Sequence, residues 1–282
     1  MPTVDENRDE WGSRHDWSRS GDDWSLAWGG TEQMWWGTLY PRLRAFLPAS
    51  HILEIAPGYG RVTQFLHPMC DTLTVVDLNE KCISACKTRF AGVAHIRYHV
   101  NDGRSLSMVP DESVDFAVSF DSLVHADADV IEAYVRQLAT KLTADGVAFL
   151  HHSNAGSYLR PLGRVARHLH AGRLSAAASR RVNRNWRAED MSLGRFHAIC
   201  REAGLRCFAQ ETLNWSSKLP NDCFSVFTRP GSKWDQDRRI SRNLGFSKEV
   251  QRIATLSQLY GADRFGPPGT AAGHQLTDPT NR

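Results

Sequence analysis

Short apolar runs alternate with amphipathic stretches through the middle of the chain. Residues 52–55, 73–76, 96–100, 114–120 and 147–150 are β-branched or aromatic runs of strand length. Helical spacing fills the gaps. Val62, Phe65 and Leu66 open one segment and 79–90 forms another. Across 127–142, Ile131, Tyr134, Val135, Leu138 and Leu142 recur at three- and four-residue intervals, and Gly146 is expected to end that unit. Strand and helix in alternation predict an α/β fold around a parallel sheet. A further helix over 192–203 stops at Gly204, and 205–215 with 223–229 reads as an antiparallel strand pair. The stretch 32–47 is expected to be helical despite Pro41, and 235–260 is expected to pack outside as a helix.

The first run leads into the stretch that organises the rest. Ile52-Leu53-Glu54-Ile55-Ala56-Pro57-Gly58-Tyr59-Gly60-Arg61 reads as strand, tight turn, then helix. Glycines in such a turn accept positive φ and let a ligand approach the backbone, and the helix beyond offers free N–H groups. A Gly-rich turn alone is weak evidence, because parallel sheets use one for packing too. The next strand adds to it. It ends in Asp77, 17 positions after Gly60, where a carboxylate can accept both hydroxyls of a ribose. The third run leads to Asp102 and the fourth to Ser119-Phe120-Asp121, so polar tips line one edge of the sheet.

With these motifs in this order, 52–229 resembles the class I S-adenosylmethionine-dependent methyltransferases. Glu54 to Gly60 looks like the family's Glu/Asp-x-Gly-x-Gly-x-Gly motif, with Ala56 in place of the first Gly. The resemblance implies a Rossmann-like, seven-stranded sheet with helices on both faces and S-adenosyl-L-methionine as cofactor. It assigns cofactor contacts to Glu54, Ala56, Gly58, Gly60, Asp77 with Leu78, Asp102 with Gly103, and Ser119 with Phe120. Gln33 is added from its position ahead of the first strand. The Gly-x-Gly-x-x-Gly spacing of nicotinamide-binding domains is absent.

Composition narrows the class only slightly. A formal charge of +3 over 282 residues does not by itself argue for nucleic acid. The polar N-terminus and the lack of a long apolar run predict a cytoplasmic protein without a membrane span. The six cysteines lack zinc-type spacing and read as buried thiols. Residues 1–22 are expected to be flexible, 23–229 to form the main domain, 230–265 a helical extension and 266–282 a disordered tail. Eight arginines and no acid fall between 155 and 188, so 155–190 reads as a basic helical insertion or lid. Six of the nine tryptophans lie within 11–36, and these rings are expected to serve as core and as a cover over the site. Oligomeric state stays open, a homodimer included.

Methyl transfer from a sulfonium is an in-line displacement that needs a held nucleophile and, for a hydroxyl, a base. Asp121, His125, His151, His152 and Asn154 cluster after the fourth and fifth strands, and Glu211 is a further candidate for the acceptor pocket. In one mechanism His125 or His152 is the base, and Asp121 shares the catalytic site. In the other, Asp121 with His152 or Asn154 holds Mg2+, although a histidine is a poor ligand for so hard a cation. Ser119-Phe-Asp-Ser-Leu-Val-His125 with His151-His152-Ser-Asn154 is also similar to actinobacterial sugar O-methyltransferases, including those acting on methylmannose oligosaccharides. That likeness implies a saccharide or sugar-bearing acceptor. The alternatives are a non-sugar small molecule, nucleic acid, or binding without catalysis. Nucleic acid is disfavoured because Asn/Asp-Pro-Pro-Tyr/Phe is missing after the fourth strand.

Overall fold

The structure is a computed structural model that describes residues 3–159, 186–215 and 218–260. Its strands are β1 Ala49–Ile55, β2 Cys70–Asp77, β3 Ile96–Val100, β4 Val114–Ser119, β5 Leu142–Ser153, β6 Arg206–Leu213, β7 Asp222–Thr228 and β8 Arg239–Asn243. They form one sheet in the order β3-β2-β1-β4-β5-β7-β6-β8. All neighbours run parallel except β7, which is antiparallel to β5 and to β6. The order reverses between β1 and β4, and that opens a crevice at the carboxyl ends of these strands.

Strict alternation along the central strands divides the core in two. Leu53, Ile55, Ala117, Ala148 and Leu150 face one side, where α6 (Ala128–Lys141) and α7 (Leu193–Glu202) cover them. Ile52, Phe116, Val118, Val147 and Phe149 face the other. That side is covered by Trp28, Met34, Trp35, Leu39 and Leu43, by α4 (Thr63–Leu66), α5 (Glu80–Arg89) and α8 (Phe246–Tyr260). Both faces are therefore dry, which accounts for runs without polar alternation.

The sheet departs from expectation in three places. An eighth strand, β8, pairs with β6 where helix was expected, and the helix proper begins only at Phe246. Gly146 lies inside β5, which already starts at Leu142; a Cβ there would sit 2.6 Å from the carbonyl of Val114. The helix expected over 32–47 is α2 (Thr31–Met34), a π-turn over Trp35–Leu39 and α3 (Tyr40–Leu43) in succession, with Pro41 in the first turn of α3.

The N-terminus carries secondary structure of its own. Val4–Asp9 is a helix, α1, with a capping box from Thr3 and Glu6, and Glu10–Arg14 continues it as a π-turn. This segment lies over the carboxyl end of the sheet. Of the expected basic insertion, 160–185 fall outside the described residues, and so does the expected tail from 266 on. Among the described residues no helix is long and apolar enough to cross a membrane.

Candidate functional site

The crevice is a cavity of about 350 Å³. One half lies at the tips of β1 and β2. The turn after β1 is left-handed at Ala56 (φ 57°) and at Gly58 (φ 58°). The Ala56 N–H donates to the Val76 carbonyl at 2.7 Å, which ties this strained residue to β2. Asp77 is buried and faces the cavity. Its carboxylate accepts the N–H groups of Asn79 at 2.8 Å and Gly58 at 3.2 Å. Burial still pushes it up to about 6, against those hydrogen bonds. Glu54, also lining the cavity, is pushed by burial to about 7 although the Thr63 hydroxyl donates to it at 2.6 Å. Leu78, Asn79, Gly103, Val130 and Tyr134 complete this half.

Four of the residues assigned by resemblance or position are not brought to the cavity wall. Gly60 is left-handed (φ 85°), but its bare Cα faces Phe90, 2.5 Å from where a Cβ would stand, so it serves helix packing. Asp102 is exposed and folds its carboxylate onto the N–H groups of Arg104 and Ser105 in its own loop. The Ser119 hydroxyl is buried without a hydrogen-bond partner, and Gln33 lies against Gly30. Phe120 does line the cavity.

The other half is bounded by Arg61, Asp121, His125, Arg187, Trp24 and Trp215. Asp121 has φ 62°, and its N–H donates to Nδ1 of His151 at 3.1 Å. Its carboxylate meets Arg61 at 3.0 Å and stands 4.0 Å from Arg187. Burial works to raise Asp121, yet Arg61 and Arg187 hold it below the usual carboxylate range. Arg61 also lies over the rings of Trp24 and Phe120, and Arg187 forks onto the fully buried Asp222 at 2.8 and 3.0 Å. Charges of both signs alternate across this floor.

His125 donates from Nδ1 to the Trp186 carbonyl at 2.9 Å. A carbonyl only accepts, so neutral His125 carries its lone pair on Nε2. Burial, followed by Arg187, brings it down to about 4. His151 accepts on Nδ1, so its Nε2 carries the proton; that atom is buried without a hydrogen-bond partner, 3.9 Å from Asp222.

His152 does not reach the cavity. β5 alternation turns it to the opposite face, where it stacks on Phe196 at 4.3 Å and bonds the Ser153 carbonyl and the Ser225 hydroxyl. Asn154 is also spent. Its amide donates to the Pro220 carbonyl, and its oxygen accepts from Ser157 and from the N–H of Leu193. The expected metal set of Asp121, His152 and Asn154 therefore does not converge, and Asp121 already has guanidinium partners. Among the described residues no cluster of three or more His, Cys, Asp or Glu is placed to hold a metal.

The tryptophan-rich N-terminus divides by depth. Trp11, Trp17 and Trp24 line the cavity, Trp28 and Trp35 are core, and Trp36 is half exposed. Trp17 stacks on Tyr59 of the Gly-rich turn at 4.3 Å and 4°. Sequence reasoning gave no role to Arg61, Val4 or Asn7, and counted Arg187 only as one of the arginines of the basic insertion or lid; all four line the cavity. A cation directly after the Gly-rich turn was a usable signal for Arg61. Nothing local marks Val4 or Asn7, which arrive through the tertiary fold.

Residues 52–146 match the family model Methyltransf_25, described as a methyltransferase domain. Nodulation protein S of Bradyrhizobium diazoefficiens is 29% identical over 126 residues, 44% of this chain and 59% of that protein. The match thus spans less than two thirds of that relative's length. Among solved structures, a SAM-dependent methyltransferase from Leishmania major aligns with a TM-score of 0.55 at 14% identity, over 80% of this chain and 82% of its own. Another SAM-dependent methyltransferase, from Methanosarcina mazei, aligns at 0.50 and 16% identity, over 68% of this chain and 98% of its own. The fold is the mixed α/β, Rossmann-like methyltransferase fold.

Proposed function

We propose that this chain is an S-adenosylmethionine-dependent methyltransferase whose cofactor and acceptor meet in the cavity at the tips of β1, β2 and β4. The observation that carries this reading is Asp77. It is a buried carboxylate at the tip of the second strand, raised to about 6, beside a turn that is left-handed at Gly58. Two hydroxyl donors from a ribose would satisfy it better than burial alone does. Leu78, Gly103 and Tyr134 offer an apolar slot beside it for the adenine. The cofactor, when bound, supplies a methyl group on a sulfonium. The protein's part is to exclude water, align the acceptor and handle its proton.

The acceptor belongs in the other half, between Trp11, Trp24 and Trp215. We read it as a ring-bearing polar molecule, with a saccharide or sugar-bearing metabolite as the first candidate. Aromatic walls suit the apolar face of a sugar, and the paired Arg61 and Asp121 offer donors and acceptors to hydroxyls without demanding net charge. The Nε2 lone pair of His125 is the base available to such a hydroxyl. One observation favours a second reading: a histidine brought down to about 4 is a weak base. It suffices for an acceptor nitrogen that is already neutral.

The test is S-adenosylhomocysteine formation with mannosides, glucosides and glycosylated metabolites beside a panel of amines, with EDTA and with added magnesium. Turnover on a sugar, indifferent to EDTA and lost in His125→Phe, supports the O-methyl reading with His125 as base. Turnover on amines alone selects the second reading. EDTA-sensitive turnover restored by magnesium would reject the non-metal mechanism, and failure of the protein to bind S-adenosylhomocysteine would reject the function outright.

A further inference from the structure

The N-terminal segment does more than roof the cavity. It forms a continuous chain of contacts between the two loops that flank the reaction site. At one end Trp17 stacks on Tyr59, inside the Gly-rich turn, and its indole Nε1–H donates to the Trp11 carbonyl at 2.7 Å. The Trp11 indole in turn donates to Oδ1 of Asn7 at 3.1 Å. Asn7 then donates from Nδ2 to the main-chain carbonyl of His125, also at 3.1 Å. The Trp11 ring lies 5.1 Å from the His125 ring, and the Trp186 ring lies 5.7 Å from it. Asn7 uses both of its amide hydrogens, since Nδ2 also meets the Thr3 carbonyl at 3.0 Å.

We propose that Asn7 and Trp11 are positioning residues for His125, and that they make its alignment conditional on the N-terminal segment being closed over the cofactor side of the cavity. The inference rests on the reading of His125 as the residue that meets the acceptor. His125 sits in a short 3-10 turn, Leu123–His125, outside any long helix. Such a turn has few hydrogen bonds of its own. Its side chain is fixed at Nδ1 by Trp186, its main chain by Asn7, and its ring by Trp11. Withdrawal of α1 and the π-turn removes two of these three restraints and opens the imidazole to water. Closure on the cofactor side, through Trp17 and Tyr59, is thereby linked to the aim of Nε2 on the acceptor side.

The charged and titratable groups that face His125 are Arg187, Asp121 and Asp222, and none of them belongs to the N-terminal segment. Removal of Asn7 or Trp11 therefore changes the burial and orientation of His125 without removing a charge. The experiment is histidine-selective NMR titration of the full-length protein, wild type and the variants Asn7→Ala and Trp11→Phe, with and without S-adenosylhomocysteine. Wild-type His125 is expected to stay in one neutral tautomer well below pH 6. In Asn7→Ala its midpoint should rise by at least about one pH unit toward the ordinary imidazole value. Trp11→Phe keeps an aromatic ring but loses the indole donor, and should give a smaller rise in the same direction. Resonances of His51 and His95, remote from the segment, should stay in place and show that the variants are folded.

An unchanged His125 titration and tautomer in both variants would overturn the inference. The titration needs neither cofactor nor acceptor, so its result bears on the positioning of His125 independently of the function. Absence of S-adenosylhomocysteine binding by the wild type would strike the methyltransferase reading alone.

Discussion

Asp77 and His152 show opposite ways in which burial acts on a single titratable residue. Asp77 is raised to about 6 because its desolvation outweighs the N–H groups it accepts. A ligand that donates hydroxyls to it favours the ionised form, so its pKa falls on binding. Binding of S-adenosylhomocysteine near pH 6 should then release a substantial fraction of a proton, and the release should vanish by about pH 8, where the group is already ionised. Calorimetry in two buffers of different ionisation enthalpy measures it directly, and Asp77→Asn should abolish it and weaken affinity by at least about tenfold. His152 is lowered by burial to about 3. Its unfolded form takes up a proton below about pH 6.5 that the folded form refuses. The stability it contributes is complete above that pH and is lost as the pH falls through the window down to its folded value. In His152→Gln the dependence of unfolding free energy on pH between 6 and 4 should flatten by about 1.4 kcal/mol per pH unit; an unchanged slope in chemical denaturation would contradict the buried neutral state. Asp77 was legible in the sequence because a strand ends there. The setting of His152 was legible only as a choice of two: alternation says that His151 and His152 face opposite sides, and the neighbours Phe196 and Ser225, distant in sequence, decide which of them is turned away from Asp121.

The same division holds for whole elements. β1, β2, β4 and α6 follow from local periodicity, since each buries a contiguous apolar pattern against the sheet. β8 did not, because Arg239-Ile-Ser-Arg-Asn243 is a polar edge strand that buries little and owes its conformation to pairing with β6. One guanidinium ties three elements together at this end of the molecule. Arg42 of α3 forks onto Glu211 of β6 at 2.8 Å and onto Glu249 of α8 at 3.0 and 3.2 Å. It also donates to the Thr38 carbonyl at 2.8 Å, beside the rings of Phe224 and Phe246. Glu211, a candidate acceptor contact on sequence grounds, is thereby a structural tie away from the cavity. Arg42→Ala leaves two carboxylates facing one another with Asn243 as their remaining shared donor. It should cost about 3 kcal/mol in urea unfolding, while S-adenosylhomocysteine affinity stays within about twofold because Arg42 lies outside the cavity wall. A large loss of affinity without loss of stability would mean that the two ends of the sheet are coupled.

At the scale of the whole molecule, stability and site assembly reside in different parts of the chain. The middle strands are covered on both faces, with Leu53, Ala117, Ala148 and Leu150 on one side and Ile52, Phe116 and Phe149 on the other, all essentially without solvent exposure. The N-terminal segment is the reverse. Neither α1 nor the π-turn after it contains a buried residue, although Val4, Asn7 and Trp11 all border the cavity. A segment with so little burial opens at small free-energy cost, whereas the central strands open only with global unfolding. Hydrogen exchange of the full-length protein should therefore show the slowest amides in β1, β4 and β5 and much weaker protection from Val4 to Arg14 when no ligand is present. S-adenosylhomocysteine adds contact area beneath that segment, so protection should rise there by at least about tenfold; the central strands rise too, because global unfolding releases the ligand, while locally opening elements away from the ligand change little. If the segment were equally protected without ligand, it would be a fixed wall, and cofactor would have to enter by another route. If the local gain fell on α7 or α8 instead, neither of which borders the cavity, the placement of both halves of the site would have to be redrawn.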